Sequence, residues 1–161
     1  PTTTGTETRN KDILRFKGDD GNVTNNGTGT CRCDFLVPDY NNTRDLLLWT
    51  LSDGGASADL ITGYIHDVDV ARVGSQATGG DAGDNTVVGS NASDGVIHEH
   101  RVRWGSNFLS VSLDRVFTTP NSTADMPDDL DRIEIGSNRS GNIQTNGIIS
   151  KLKISNIQSR K

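Results

Sequence analysis

Three histidines, three glutamates and a large set of aspartates are the residues with which this chain could do chemistry. His98 and His100 stand two apart in Val96-Ile97-His98-Glu99-His100-Arg101-Val102-Arg103-Trp104, so in an extended strand their rings share a face. With His66 or an aspartate as a third ligand, such a pair could hold a metal ion. The competing reading makes them structural, each ring nitrogen answered by a hydrogen bond. Glycoside hydrolysis would need two carboxylates facing one bond, about 5 Å apart for retention and farther for inversion. Glu7, Glu99 and Glu134 are widely separated, and Asp67-Val68-Asp69 is an acidic pair at strand spacing. No Gly-x-Ser-x-Gly occurs to mark a nucleophile elbow. The residues therefore point to a chain that is not an enzyme.

Binding chemistry is better represented. Asp125, Asp128, Asp129 and Asp131 crowd one segment and make calcium the favoured ion, because hard cations take carboxylates and loop carbonyls. Asp19-Asp20-Gly21-Asn22 is a second such segment, though neither has the spacing of a 12-residue EF-hand loop, and solvated turn acids are the alternative. Sugar recognition needs an aromatic platform beside polar loop groups. Trp49 and Trp104 lie in apolar strand patterns and are assigned to the core, which leaves Tyr40 and Tyr64 as platforms. Asp53, Asn138, Arg139 and Asn142 are the polar partners expected beside them.

The elements that must position these groups are strands. Alternating apolar residues bounded by Gly, Asn, Asp and Pro predict strands near 12–17, 30–37, 45–51, 58–66, 68–73, 85–89, 96–104, 107–113, 130–135 and 146–154. Gly105-Ser106 marks a tight hairpin, after which Leu109, Val111 and Leu113 are expected inward and Ser110 and Ser112 outward. The stretches 74–85, 117–129 and 137–146 have no periodicity and read as loops. Cys31 and Cys33 share one face of a strand and are expected as buried free thiols.

Composition agrees. The chain has 161 residues, 18 of them Gly, 32% hydrophobic residues and a formal net charge of −5, which fits one β-rich domain with many polar turns. Scattered basic residues and acidic balance argue against nucleic acid, and no apolar run is long enough to span a membrane. Pro1 at the start and Met126 as the sole methionine suggest an excised piece. Residues 1–10 are then a linker from an upstream segment, 11–157 the domain and 158–161 a tail. Sequons at Asn22, Asn26, Asn41, Asn91, Asn121 and Asn138 fit surface turns, though an Asn/Ser/Thr-rich chain also acquires them by chance.

The second half resembles the concanavalin A-like, laminin-G-like jelly-roll family. The resemblance runs through Asp94-Gly95, His100-Arg101-Val102-Arg103-Trp104, Leu109 to Asp114, Ile133-Glu134-Ile135-Gly136 and Asn146-Gly147-Ile148 to Ile154. It implies an all-β, antiparallel two-sheet sandwich. Asp12 to Gly18 resembles the family's opening strand, which would pair beside the closing one. Where the family has Gly after the aspartate of the second hairpin, this chain has Arg115. The Glu-x-Asp-x-x-Glu strand of hydrolases with this fold is missing. Thr/Asn/Gly/Ser-rich turns are similar to those of phage structural proteins, so the expected setting is a virion surface or the extracellular space. The expected partners are other virion subunits or a host glycan, and the expected state a homotrimer. A carbohydrate-binding module of a secreted bacterial enzyme and a purely structural assembly domain are the alternatives.

Overall fold

A computed structural model describes residues 12–15, 28–37, 45–52, 59–66, 70–76, 83–86, 92, 94–127, 130, 132–136 and 147–155. Eleven strands and no helix occur among them: β1 (Asp12–Arg15), β2 (Gly29–Leu36), β3 (Leu46–Ser52), β4 (Leu60–His66), β5 (Val70–Gln76), β6 (Gly83–Thr86), β7 (Ile97–Gly105), β8 (Phe108–Leu113), β9 (Val116–Phe117), β10 (Arg132–Ile135) and β11 (Ile148–Ser155). They form a six-stranded sheet ordered β1-β10-β3-β4-β5-β6 and a five-stranded sheet ordered β11-β2-β7-β8-β9, with every pairing antiparallel.

The period-2 pattern decides which faces meet. Cys31, Cys33 and Phe35 of β2, His100, Val102 and Trp104 of β7 and Leu109, Val111 and Leu113 of β8 turn inward. They pack on Trp49 and Leu51 of β3, Ile61 and Ile65 of β4, Ala71 and Val73 of β5 and Ile133 of β10. Both tryptophans lie in this core, and each rests on a glycine. A Cβ on Gly29 would stand 2.3 Å from Cζ2 of Trp104, and one on Gly63 would stand 2.5 Å from Cε2 of Trp49. Close approach of a ring to backbone is thus what these two glycines supply. Cys31 and Cys33 are buried and free, as their spacing predicts.

Three expectations need correction. β1 pairs with β10 and the closing β11 with β2, so the first and last strands lie in different sheets. Register explains the closing strand: Ile149, Leu152 and Ile154 pack on the same core as Phe35, Cys33 and Cys31. The stretch 74–85 is not all loop, since Gly74 to Gln76 complete β5 and β6 begins at Gly83. An edge strand held by backbone hydrogen bonds needs no apolar alternation. Likewise β9 pairs with the end of β8, where loop was expected. Ser110 and Ser112 point outward yet are buried, because their register partners include Arg101, Arg103 and Phe117, whose longer side chains flank them.

Candidate functional site

The outer face of the five-stranded sheet is organised in rows across the strands. Ile148, Leu36 and Ile97 align as an apolar row, Ser150, Asp34 and Glu99 as an acidic one, and Lys153, Arg32, Arg101 and Ser112 as a basic one. Acidic and basic rows are adjacent, so charges pair between them. Nη2 of Arg32 lies 2.6 Å from Oε2 of Glu99, and Nη2 of Arg101 lies 3.4 Å from Oε1 of the same residue. Lys151 donates to Oδ2 of Asp34 at 2.7 Å. That contact depends on a β-bulge: Lys151 and Leu152 together oppose Cys33, and Lys151 takes φ 50°. The extra residue turns Lys151 outward while Leu152 and Ile154 stay on the core.

At the end of this sheet, where the inward face of β7 opens, two turns converge on His98. Asp94-Gly95 enters β7 with Gly95 at φ 78°, and Oδ1 of Asp94 accepts from the Val96 amide at 2.9 Å. Asp114-Arg115 links β8 to β9 with both residues at positive φ, 48° and 70°, the backbone of a two-residue type I′ hairpin. Asp114 fastens that turn to β7, since Oδ1 accepts from the Glu99 amide at 2.8 Å and its own amide donates to the Glu99 carbonyl at 2.9 Å. His98 then donates from Nδ1 to Oδ2 of Asp114 at 2.6 Å and from Nε2 to Oδ1 of Asp94 at 2.9 Å. Carboxylates accept, so both ring nitrogens carry protons and the ring is an imidazolium. Burial works against that charge, but the hydrogen bonds to Asp114 and Asp94 outweigh it and hold the pKa of His98 above 6.5. The reciprocal bond from His98, helped by the Val96 amide, holds Asp94 below its usual 3.8.

His100, one pleat deeper, behaves oppositely. It is wholly buried, edge-on to Trp49 at 6.2 Å between ring centroids, and its Nε2 donates to the Arg72 carbonyl at 3.1 Å. Burial pushes its pKa down to about 4, so the ring is neutral at pH 7. The two rings share a face, as their spacing predicts, but each is committed to different partners. Among the described residues no cluster of three or more His, Cys, Asp or Glu is arranged to hold a metal ion.

Between the His98 corner and the charged rows lies an open depression of about 440 Å³ lined by Asp34, Ile97, His98, Glu99, Asp114 and Arg115. It offers fixed hydrogen-bond acceptors and donors beside one exposed apolar surface, Ile97, which is 65% exposed. Both nitrogens of His98 are occupied as donors, and each lining carboxylate already accepts from a cationic partner.

No family model and no curated protein sequence matches the chain. Solved structures do. Mouse laminin alpha1 domains LG4-5 superpose with a TM-score of 0.67 at 16% identity, over 92% of this chain and 39% of that one. The CBM40 of Ruminococcus gnavus IT-sialidase, bound to alpha2,3 sialyllactose, gives 0.64 at 11% identity, over 83% of this chain and 77% of that one. Sheep galectin-11, in complex with glycerol, gives 0.56 at 7% identity, over 93% and 99%. The chain has a concanavalin A-like jelly-roll fold. It spans well under half of the laminin chain, and at these identities the likeness concerns the fold.

Of the sugar- and calcium-binding candidates singled out in the sequence, two lie within the described residues. Tyr64 is half-buried on the outer face of β4, its ring edge-on to His66 at 6.4 Å. It therefore belongs to the six-stranded sheet, on the side of the sandwich away from the depression. Asp125 is exposed, and its carbonyl accepts a 3.4 Å hydrogen bond from Ser75 Oγ. Tyr40, Asp53, Asn138, Arg139, Asn142, Asp128, Asp129 and Asp131 lie outside the described residues. The residues of the depression were missed as a group. Asp94-Gly95, His98 and Arg115 each stood out in the sequence, but their convergence depends on the β7–β8 register.

Proposed function

We propose that this jelly roll is a non-catalytic glycan-recognition domain whose ligand seats in the depression over β2 and β7. The observation that carries the reading is the wall of that depression, where carboxylates and cations are held in pairs beside exposed Ile97. Sugar hydroxyls need donors and acceptors already in place, and pyranose C–H faces need an apolar patch. The likeness to a sialyllactose-bound CBM40 supports the same reading. Loop residues Tyr40, Asp53, Asn138, Arg139 and Asn142 are proposed as further contacts and calcium at Asp125, Asp128, Asp129 and Asp131 as a loop stabiliser, while Tyr64 would serve a separate surface. The proposed setting is a virion or other extracellular surface, with a carbohydrate-binding module of a secreted bacterial polysaccharide-acting enzyme as the alternative, which the CBM40 likeness supports.

A glycan array with a parallel hydrolysis assay tests the proposal. Retention of a defined glycan class is expected, lost at least tenfold in Ile97→Asp, the order expected for removing one or two good contacts from a small site. Turnover of any glycan would overturn the non-catalytic reading. The apolar row of Ile148, Leu36 and Ile97 also suits a subunit contact, with Ile148 63% exposed. If the wild-type protein is oligomeric and Ile97→Asp yields monomers without touching glycan retention, the assembly reading replaces the glycan one.

A further inference from the structure

We propose that Arg115 selects glycans carrying an acidic substituent, a carboxylate or a sulfate. This rests on the glycan-recognition reading and adds the ligand's charge. Arg115 occupies the second central position of the β8–β9 turn at φ 70°, a left-handed backbone that glycine adopts freely and that a residue with a Cβ adopts at a cost. Packing does not explain the arginine, because its side chain is exposed. Nor does pairing, because it has no hydrogen-bond or ion-pair partner among the described residues. Its neighbour Asp114 is no partner either: one oxygen accepts from His98 and the other from the Glu99 amide.

The rest of the lining is already matched in charge. Lys151 answers Asp34, Arg32 and Arg101 answer Glu99, and His98 answers Asp114. Arg115 is the lining charge left for a ligand. A guanidinium presents a planar fork of donors that fits two oxygens of a carboxylate or sulfate at once. Strain retained at an exposed, unpaired position beside a depression is the pattern of a residue kept for binding.

Calorimetric titration of the full chain with lactose, 3′-sialyllactose and 3′-sulfated lactose tests this in wild type, Arg115→Gly and Arg115→Asn. Both variants suit the left-handed backbone, so their thermal midpoints should be no lower than that of the wild type. The wild type should bind at least one acidic derivative about tenfold tighter than lactose, with the preference weakening in salt. In both variants that preference should fall to within about twofold, the acidic derivative losing more affinity than lactose does. A preference for only one derivative identifies the acid. An acidic preference that survives in both variants, or its absence in a wild type that binds lactose, overturns the role of Arg115 and leaves glycan recognition standing. Failure to bind either acidic derivative overturns this proposal, and an empty glycan array overturns the underlying reading as well.

Discussion

Two histidines two residues apart on β7 are driven to opposite protonation states by what surrounds them, and their linkage to folding has opposite sign. Folding favours the charged form of His98, so its contribution is complete below pH 6.5 and is lost as pH rises through the higher folded value. Folding favours neutral His100, so its contribution is complete above pH 6.5 and is lost as pH falls toward about 4. For His100 the difference between 6.5 and about 4 is worth roughly 3 kcal/mol. Urea midpoints should therefore fall from pH 6.5 to pH 5 in the wild type because of His100, and decline above pH 6.5 because of His98. In His98→Gln the acid-side fall should persist and the decline above pH 6.5 should flatten. Equal pH slopes in the two proteins would remove His98 from this account. Asp94 adds stability that is present above 3.8 and lost at lower pH, outside that window.

At the scale of elements, β11 illustrates how a single added residue sets the function of a face. Ser150 pairs with Asp34 and Lys153 with Arg32, so two residues of β11 stand against Cys33 alone. Deleting Lys151 leaves Leu152 opposite Cys33 and preserves the inward positions of Ile149 and Ile154. It also removes a non-glycine residue from φ 50°. Deleting Leu152 would instead put Lys151 at the inward position, and burying an unpaired ammonium is costly. The Lys151 deletion is expected to keep its urea midpoint within about 1 kcal/mol of the wild type, because it exchanges an exposed ion pair for relief of strain. The Leu152 deletion is expected to lose at least 2 kcal/mol, as large core losses do. Equal losses in the two would mean that the bulge does not set the register. Bulges are hard to see in sequence: Ile148-Ile149-Ser150-Lys151-Leu152-Lys153-Ile154 reads as a plain strand, and only the partner's register exposes the extra residue. The same holds for the site. Asp-Gly before β7 and the arginine where glycine is usual were visible, whereas Asp114 meets His98 only once β7 and β8 are aligned.

For the whole molecule, the legible part was the part with period 2. The inward residues of β2, β4 and β7 alternate with more exposed ones, those of β8 alternate with buried serines, and with the continuously buried β3 they build a core between sheets, while β6 and β9 are short edge strands held by backbone pairing and carry no such signal. That core encloses Cys31 and Cys33 on β2, the strand between β11 and β7. Burial pushes the Cys31 thiol well above its usual 9.0, with Cys33 adding to the effect. Cys33 is raised to about 12, first by burial and then by Asp34 and Glu99. A thiolate is the nucleophile, so neither residue should react in the native state, and reaction requires the sheets to part. Local fraying at β9 or β6 leaves β2 covered. Alkylation by iodoacetamide should therefore track the global unfolding equilibrium, both thiols reacting together with a denaturant slope equal to that of spectroscopic unfolding. A slope much smaller than that would show β2 opening by itself, and the two sheets would then not form one cooperative core.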